Sequence, residues 1–349
     1  MRKMATIRTI GKIFPIEGAD AIEAARVDGW TVVVKKGQFS EGDSVIYAEI
    51  DSWIPTEIAP YLTRHDGRPK EYLGVKGERL RTIRLRGQLS QGLILPLSLL
   101  DGKLASFDDG DDVSELLGIV KWEAPDPAIL GGAPRGNFPG WMRKTDQERI
   151  QNCFRDLSRE DENFNCELDG RWYGEEKLDG SSMSVGYLNG EIHVCSRNLS
   201  IRLDAEDNAF IRAAKATNII MALELYGRNI AVSGELVGEG IQGNRYKLRG
   251  QKWFVFDVYD VEANRYLSYV DRLKVIVDLT KLGADFEETP MLYQTSLSQW
   301  DVEKFLANAE GKSALCAEAE REGVVWKRSN DGDKSFKAIS NKFLTSGGE

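Results

Sequence analysis

Short apolar runs separated by Gly- and Asp-containing turns fill the first third of the chain. Residues 30–34 and 44–50 are rich in β-branched side chains, and further runs follow at 79–85 and 92–95. This spacing predicts an antiparallel β domain. About 120 residues of short strands favour a small closed barrel, with an OB fold as the first choice and another small β-barrel as the alternative.

The pattern breaks between residues 121 and 143. This stretch holds four of the ten prolines and four glycines: Pro125, Pro127, Pro134, Pro139, Gly131, Gly132, Gly136 and Gly140. Such a density of restricted and permissive backbone positions is typical of a connector. The sequence therefore predicts two domains, at residues 1–120 and 144–349, which agrees with a length of 349 residues.

The second half alternates helical and strand patterns. The segment Thr145-Asp146-Gln147-Glu148 has capping-box spacing and predicts a helix from Asp146 to about Ser158. Further helices are expected near 205–226, 269–282 and 297–309, and strands at 230–237, 253–259, 323–327 and 334–339. The fold class predicted for the domain is α+β.

Asn189-Gly190 joins two strand-like runs and is a strong signal for a two-residue hairpin. Such a loop pairs Tyr187 with Ile192 and Val185 with Val194, and further along pairs Ser182 with Arg197. We therefore expect the hairpin to bring Arg197 back beside the loop at Lys177, which precedes the first of the two strands.

Charge and composition exclude several classes of protein. The net charge of −9 argues against coating of nucleic acid by bulk electrostatics, although residues 76–86 are locally basic. Four cysteines without C-x-x-C spacing predict reduced thiols, and two histidines leave little scope for a zinc site. No signal peptide or membrane-spanning run is evident, so an intracellular location, cytoplasmic or nuclear, is expected, with no obligatory protein partner.

Lys177-Leu178-Asp179-Gly180 is the first of six segments that matter together. The others are Ser196-Arg197-Asn198, Ser233-Gly234-Glu235, Phe254-Val255-Phe256-Asp257, Glu322-Gly323-Val324-Val325 and Ser335-Phe336-Lys337. A lone K-x-D-G is weak evidence, because about one chain in ten to twenty of this length contains it by accident. All six in this order resemble the covalent nucleotidyltransferases, and residues 145–341 resemble ATP-dependent RNA ligases.

The resemblance implies that Lys177 attacks ATP and carries AMP. It also implies that Asp179, Glu235 and Glu322 hold Mg²⁺ or Mn²⁺, mostly through water, and that Glu235 meets either the metal shell or the ribose. An ordinary lysine is almost fully protonated at pH 7. Since the neighbouring Glu175, Glu176 and Asp179 would raise its pKa further, the reaction requires a cation to offset them.

Other roles follow by motif from the same resemblance. Lys337 would reach the α-phosphate, and Arg197 would contact the nucleotide or an RNA-end phosphate. Phe256 would stack on adenine, and Glu176 would contact the adenine edge. Arg149, near a predicted helix start, would meet the triphosphate.

Several of these roles have structural alternatives. Phe256 could be a core residue, Glu235 and Glu322 ordinary strand-end carboxylates, and Lys337 a solvated lysine. Arg197 could be the exposed end of a hairpin, and Arg149 part of a surface helix with an ordinary capping box.

One position departs from the family pattern. The last motif usually carries two lysines separated by one residue, but Ser335 occupies the first of these positions. Either Lys327 or Lys334 supplies the missing charge, or the phosphate is held differently.

The order of the domains indicates the kind of ligase. Only 12 residues follow Lys337, so we expect no OB domain after the catalytic one, unlike DNA ligases and capping enzymes. A barrel at the N-terminus resembles the RNA ligases of the Naegleria type. In a strand, Arg84 and Arg86 would share one face and Arg79 and Arg81 another, so that one pair tracks RNA phosphates or pyrophosphate.

The expected reaction joins an RNA 3′-OH to a 5′-phosphate through lysyl-AMP and a 5′–5′ pyrophosphate-linked RNA. A nicked duplex is the expected substrate, because double-stranded RNA is recognised by shape and 2′-OH groups. A DNA-joining or capping-type nucleotidyltransferase is one alternative, and a non-catalytic nucleic-acid-binding protein with a decayed site is the other.

Overall fold

A computed structural model describes residues 2–63, 67–102, 106–125, 133–159, 167–168 and 170–346. The chain forms two compact units, within residues 1–124 and 125–348. Cys166 and the connector positions 126–132 lie outside the described residues, and Cys153, Cys195 and Cys316 are free thiols. None of the described helices has the length and apolar character that a membrane span requires.

The first unit is built from short antiparallel strands. They are β1 (Ala5–Pro15), β2 (Ile22–Val27), β3 (Trp30–Lys35), β4 (Ser44–Ala48), β5 (Ser52–Pro55), β6 (Lys70–Tyr72), β7 (Val75–Arg79), β8 (Ile83–Leu85), β9 (Gln88–Ser90), β10 (Leu93–Leu95) and β11 (Val120–Lys121). They form one sheet of order β10-β4-β1-β2-β3, another of order β11-β5-β7-β6, and the pair β8-β9. Two 3₁₀ turns, Pro60–Leu62 and Leu97–Leu100, accompany them.

The long strand β1 holds this unit together. Its first half pairs with β4 and its second half with β2, with a register shift between Ile10 and Lys12. Apolar residues of both larger sheets, including Ile7, Ile46 and Ile54, meet in one core. One strand can pair with two different neighbours along its length because a bulge changes the twist and direction of the strand.

The continuous strand predicted over residues 79–85 is wrong. Strand β7 ends at Arg79, and Leu80 turns into the core while its N–H bonds to Ser52 and its carbonyl to Asp51. Strand β8 begins only at Ile83. Arg86 then lies in the following turn with φ of 50°. The four arginines therefore do not form two alternating faces of one strand.

In the part of the second unit that the structure describes there are two sheets and six helices. Its strands are β12 (Pro134–Asn137), β13 (Glu148–Arg149), β14 (Trp172–Lys177), β15 (Ser181–Leu188), β16 (Glu191–Cys195), β17 (Leu199–Ile201), β18 (Ile230–Gly238), β19 (Gln251–Asp260), β20 (Arg265–Tyr266), β21 (Glu287–Glu288), β22 (Met291–Thr295), β23 (Gly323–Arg328) and β24 (Asp331–Ile339). Its helices are α1 (Ile150–Leu157), α2 (Ala209–Ala216), α3 (Ile219–Tyr226), α4 (Tyr269–Lys281), α5 (Val302–Ala309) and α6 (Asn341–Thr345), with a 3₁₀ turn at Gln242–Asn244.

The eight-stranded sheet has the order β12-β17-β16-β15-β18-β19-β20, with β21 paired to β19, and the five-stranded sheet has the order β13-β24-β23-β14-β22. Helices α2, α3 and α4 bury apolar side chains such as Phe210, Leu223 and Leu279 against the first sheet. Helices α1 and α5 pack Ile150 and Phe305 against the second, beside Trp326. Each sheet is thus stabilised by apolar burial on the face that the helices cover.

The chain passes from one sheet to the other through Leu178–Gly180, between β14 and β15. A Cβ at Gly180 would meet the Leu236 carbonyl and the Val237 side chain. Only glycine therefore fits this close approach of the crossing segment to β18. The K-x-D-G segment lies where the two sheets are covalently joined.

The hairpin prediction is confirmed in its register. Tyr187 pairs with Ile192 and Val185 with Val194 across a turn in which Asn189 and Gly190 both have positive φ. The ladder ends at Ser184 and Cys195, so the expected pair of Ser182 with Arg197 does not form.

Several predicted elements differ in their bounds. The helix expected from Asp146 begins at Ile150, because Glu148 and Arg149 pair with β24, and Glu148 accepts a bond from Asn152. The helix expected over 205–226 is two helices, separated at Asn218 with φ of 53°. The last helix begins at Val302 rather than near residue 297. Part of the predicted connector, Pro134–Asn137, is a strand.

Candidate active site

Lys177 ends strand β14 and lies close to a glutamate of the neighbouring strand. Its Nζ is 2.6 Å from Oε1 of Glu322. The register explains the contact: Lys177 pairs with Gly323, the residue that follows Glu322. The lysine side chain is half-buried, with 28% of its surface exposed. The first and fifth predicted segments therefore meet in space.

Glu235 approaches the same lysine from the other sheet. Its Oε1 accepts a hydrogen bond of 3.1 Å from the N–H of Gly180. In the ladder, Glu235 pairs with Ser182, just after the K-x-D-G segment. The carboxylates of Glu235, Glu322 and Asp179 all act electrostatically on Lys177. Three acidic groups from three motifs thus surround one amine.

These carboxylates control the protonation of Lys177. Burial lowers its pKa, but Glu322, Glu235 and Asp179 together raise it above the ordinary value. In turn, burial raises the pKa of Glu235 to about 8, with Glu322 and Asp179 adding to the effect while Lys177 opposes it. Burial also raises the pKa of Glu322. The expected rise in the pKa of Lys177 is present, and Asp179 contributes to it as expected, but its main causes are Glu322 and Glu235, which are distant in sequence.

Glu175 forms ion pairs with two buried cations and not with Lys177. Its carboxylate lies 2.6 Å from Arg272 and 3.0 Å from Lys327, and all three side chains are buried. Burial raises the pKa of Glu175, but the two cations lower it by more, so that its pKa is below the ordinary value.

The acidic set fits a hydrated hard cation. Asp179, Glu235 and Glu322 place three carboxylates around a single lysine, and the buried Oε2 of Glu322 has no hydrogen-bond partner among the described residues. Across those residues, no group of three or more His, Cys, Asp or Glu side chains forms a ready-made metal cage. Oxygen ligands suit Mg²⁺ or Mn²⁺, and such ions often keep several waters.

Basic side chains converge on Asp146, beside the carboxylates. Oδ1 of Asp146 is 3.5 Å from Nζ of Lys337, and its Oδ2 is 3.4 Å from Arg197. Arg149 pairs with Lys337 in the parallel ladder of β13 and β24. Lys337 also lowers the pKa of Glu322, among smaller effects on that carboxyl. Three of the predicted phosphate-binding residues therefore share one region, although Arg197 is linked through Asp146 rather than through the hairpin.

Phe256 lies at a bulge in β19, between residues that pair with Ser233 and Gly234. Its carbonyl accepts hydrogen bonds from both Lys327 and Arg272, and Nζ of Lys327 lies 5.2 Å from its ring centroid. The ring is half-buried. This geometry fixes the backbone of Phe256 and leaves part of its ring accessible.

Glu176 is buried on strand β14. One carboxylate oxygen accepts a 2.7 Å bond from the N–H of Ala314, and Oε1 has no partner among the described residues. Burial raises the pKa of Glu176, although Ser313 and the Ala314 N–H oppose that rise. A buried acceptor of this kind suits a ligand that brings its own N–H donor.

Lys327 and Lys334 differ in their surroundings. Lys327 pairs with Ser335 across the ladder and shares its face of the sheet, but its ammonium binds Asp257 at 2.8 Å and Glu175 at 3.0 Å. Lys334 is more exposed and pairs with Glu167. Lys327 therefore places a positive charge directly beside Ser335, but this charge is already paired with the carboxylates of Asp257 and Glu175.

The arginines of the first unit occupy separate environments. Arg79 binds Asp51 at 2.5 Å and lies 4.1 Å over the ring of Trp122. Arg81, Arg84 and Arg86 are exposed. Their role toward RNA or pyrophosphate stays a prediction.

Comparison with known proteins places this site in a family. The RNA ligase family profile matches residues 170–339, and an OB-fold domain profile matches residues 4–97. Among solved structures, Naegleria gruberi RNA ligase with pyrophosphate is 44% identical, with a TM-score of 0.88, covering 99% of this chain and 98% of that one. The chain belongs to the RNA ligase family.

Two mutants of the same ligase agree with this assignment. One mutant with ATP and Mn is 44% identical, with a TM-score of 0.89 and 100% of each chain covered. A mutant with AMP and Mn gives a TM-score of 0.88 at 44% identity, covering 98% of each chain. No curated protein sequence matches.

The predictions of an N-terminal OB fold, an α+β catalytic unit and an ATP-dependent RNA ligase are confirmed. The motifs did not single out four residues of this site: Arg245 and Tyr246, which contact Asp179, and Arg272 and Asp146, which bind the charged groups described above. Arg245 and Tyr246 follow the strand that carries the motif residue Glu235, so their position shortly after that motif was the available signal.

Proposed function

We propose that this RNA ligase seals RNA ends in three steps, with Lys177 as the residue that carries AMP. The observation that most directly supports this proposal is that the carboxylates of Glu322, Glu235 and Asp179 surround the Lys177 amine. Nζ of Lys177 attacks the α-phosphorus of ATP. A P–N bond forms, the P–O bond to pyrophosphate breaks with its electrons leaving on pyrophosphate, and the protons lost from the lysine nitrogen pass to solvent.

The second step transfers AMP to RNA. An oxygen of the RNA 5′-phosphate attacks the phosphorus of lysyl-AMP, a 5′–5′ pyrophosphate forms, and Lys177 leaves. In the third step an RNA 3′-OH attacks the terminal RNA phosphorus, a phosphodiester forms, and AMP leaves with the electrons of the broken P–O bond. The protein contributes mainly by positioning and by neutralising charge.

The chain's own residues divide these tasks. Glu322 holds the Lys177 ammonium and accepts its hydrogen bond before the reaction. Lys337, Arg149 and Arg197 neutralise phosphate charge, and Lys327 contributes indirectly from beside Ser335. A Mg²⁺ or Mn²⁺ ion held through water by Asp179, Glu235 and Glu322 would supply Lewis-acid charge that favours the neutral amine. The Mn in the related structures supports this choice.

The nucleotide base has a separate set of candidates. The partly accessible ring of Phe256 stacks on adenine, and Glu176 accepts a hydrogen bond from its edge. The held carbonyl of Phe256 supports this role, because a fixed platform loses less entropy when it binds a ligand.

The substrate is RNA with a 3′-OH and a 5′-phosphate, and a nicked duplex is the preferred form. Residues 1–120 would act as an RNA- or pyrophosphate-binding OB domain through Arg79, Arg81, Arg84 and Arg86, and residues 144–349 as the nucleotidyltransferase domain, joined by 121–143. Exposed Arg81, Arg84 and Arg86 support a backbone contact. RNA repair inside the cell, where ATP is present, is the proposed setting.

The test is covalent labelling followed by sealing. Wild type is incubated with [α-³²P]ATP or GTP and Mg²⁺ or Mn²⁺ and run on a denaturing gel beside Lys177→Ala and the surface control Lys215→Ala, which loses only an exposed pair with Glu206. We expect an acid-labile label from ATP only, retained in the control and absent from Lys177→Ala. Matched RNA and DNA nicks then report the substrate. An unlabelled wild type, or equal label on Lys177→Ala, would contradict the proposal.

A further inference from the structure

Two consecutive residues outside the six motifs hold Asp179 from both sides. Nη1 of Arg245 donates a 2.7 Å hydrogen bond to Oδ2 of Asp179. The hydroxyl of Tyr246 accepts a 2.7 Å hydrogen bond from the Asp179 N–H. Side chain and backbone of the motif aspartate are therefore fixed by one short segment.

The Arg245 guanidinium is itself held by two other elements. Its Nη2 donates a 3.2 Å bond to the carbonyl of Glu320, and its Cζ lies 4.4 Å from the ring centroid of Phe343 in helix α6. Only 22% of the Arg245 side chain is exposed. Because Glu320 and Phe343 hold the guanidinium in place, its Nη1 donor is fixed beside Asp179, which suits orientation of that carboxylate.

The segment that carries this pair has an unusual backbone. Gln242, Asn244 and Lys247 have positive φ, which non-glycine residues rarely adopt. Asn244 stabilises the bend, since its side chain donates to the Leu248 carbonyl and accepts from the Leu248 N–H. Strained backbone persists where the surrounding structure fixes it, and it concentrates at functional sites.

We propose that Arg245 and Tyr246 are positioning residues that clamp Asp179 in the orientation that its cation and the Lys177 loop require. The inference rests on the proposed function, in which Asp179 lies in the water shell of the metal. Arg245 holds Oδ2 of Asp179, so this contact restricts rotation of a carboxylate that acts electrostatically on Lys177. Mutation of a residue that hydrogen-bonds a metal-binding carboxylate typically lowers metal affinity or activity by about 10- to 100-fold.

Three variants and a matched control test the clamp. Arg245→Ala removes the ion pair, Arg245→Lys keeps a charge without the fork, and Tyr246→Phe removes one hydroxyl. Lys247→Ala is the control, because Lys247 pairs with Glu318 in the same segment without contacting Asp179. All four are checked by thermal unfolding so that loss of folding is recognised directly.

The first readout is Mn²⁺ binding without nucleotide, followed by electron paramagnetic resonance of the free ion. We expect the dissociation constant to rise about 10-fold or more in Arg245→Ala, and about 2- to 10-fold in Tyr246→Phe, where one hydrogen bond is lost. Arg245→Lys should fall between Arg245→Ala and wild type, and Lys247→Ala should match wild type. Unchanged or tighter Mn²⁺ binding in a folded Arg245→Ala protein overturns the clamp.

The second readout is single-turnover formation of lysyl-AMP. If Arg245 acts through Asp179, adding Arg245→Ala to Asp179→Ala should slow the reaction no further, whereas independent roles would multiply the two losses. A multiplied loss overturns the proposal. Failure of the proposed function is distinguishable, because wild type itself would then form no lysyl-AMP.

Discussion

Lys327 and Asp257 form an ion pair of 2.8 Å that joins the five-stranded sheet to the eight-stranded one. Both side chains are buried, and Glu175 and Arg272 complete the group from β14 and α4. The same two cations hold the carbonyl of Phe256. The group thus connects the packing of the two sheets to the proposed adenine platform.

Lys327→Met should strongly destabilise the second unit. It leaves Asp257 and Glu175 buried with too little positive charge, and breaking a buried pair typically costs about 3–5 kcal/mol. Chemical denaturation measures the loss. Lys334→Met, on the neighbouring strand, removes a more exposed lysine paired with Glu167 and should cost at most about 1 kcal/mol. Equal losses in the two variants would show that the buried group does not stabilise the fold.

Asp146→Asn should strengthen ATP binding. Asp146 lies 3.5 Å from Lys337 and 3.4 Å from Arg197, so its carboxylate competes with phosphate for both. Half-exposed pairs are worth up to about 1 kcal/mol, so KM for ATP should fall by at most about 5-fold. Steady-state labelling measures this. Asp204→Asn, which breaks the exposed pair with Arg202, is the control and should leave KM unchanged; a higher KM in Asp146→Asn would refute the idea.

Glu235 should make stability depend on pH in the absence of metal. Its pKa is about 8 in the folded protein, against roughly 4.3 when unfolded. Because the folded pKa is the higher one, this stabilisation is complete below about pH 4 and is lost as the pH rises towards 8.

Glu235→Gln removes that carboxyl, so its melting temperature relative to wild type should be higher at pH 9 than at pH 5. Scanning calorimetry without metal checks the difference. Glu239→Gln, an exposed residue just after β18, should show no such change between the two pH values. The prediction fails if the melting temperatures of Glu235→Gln and Glu239→Gln, each relative to wild type, change by the same amount between pH 5 and pH 9.

Gly180→Ala should abolish most lysyl-AMP formation. The added Cβ would press on the Leu236 carbonyl and Val237, displacing the segment that carries Asp179. Displacement of reacting groups by about 1 Å can cost about 100-fold in rate. Gly140→Ala is the matched control, because its Cβ would meet nothing within 4 Å. Single-turnover labelling compares them, and a wild-type rate in Gly180→Ala would exclude a need for glycine there.

Local signals predicted the parts of the fold that local chemistry decides. Asn189-Gly190 has both residues at positive φ, and the turn alone sets the register of β15 and β16. The order of the motifs likewise predicted that Lys177, Glu235 and Glu322 would meet. Each of these motif residues lies in a strand or at its end, so pairing of the strands brings them together.

Contacts between distant segments decided the rest. Glu148 has capping-box spacing to Thr145, yet pairing of Glu148–Arg149 with β24 delays the helix to Ile150. Arg272 gives no local signal, because in the sequence it is one charged residue among others in an amphipathic helix. Its partner Glu175 lies 97 positions away along the chain. Arg245 was missed for the same reason: its partners Asp179, Glu320 and Phe343 are far apart in sequence.

The passage of the chain from β14 to β15 has a mechanical consequence. Lys177 ends a strand of one sheet, and Ser181 begins a strand of the other. A small rotation of either sheet would therefore move the nucleophile relative to Glu235, which belongs to β18.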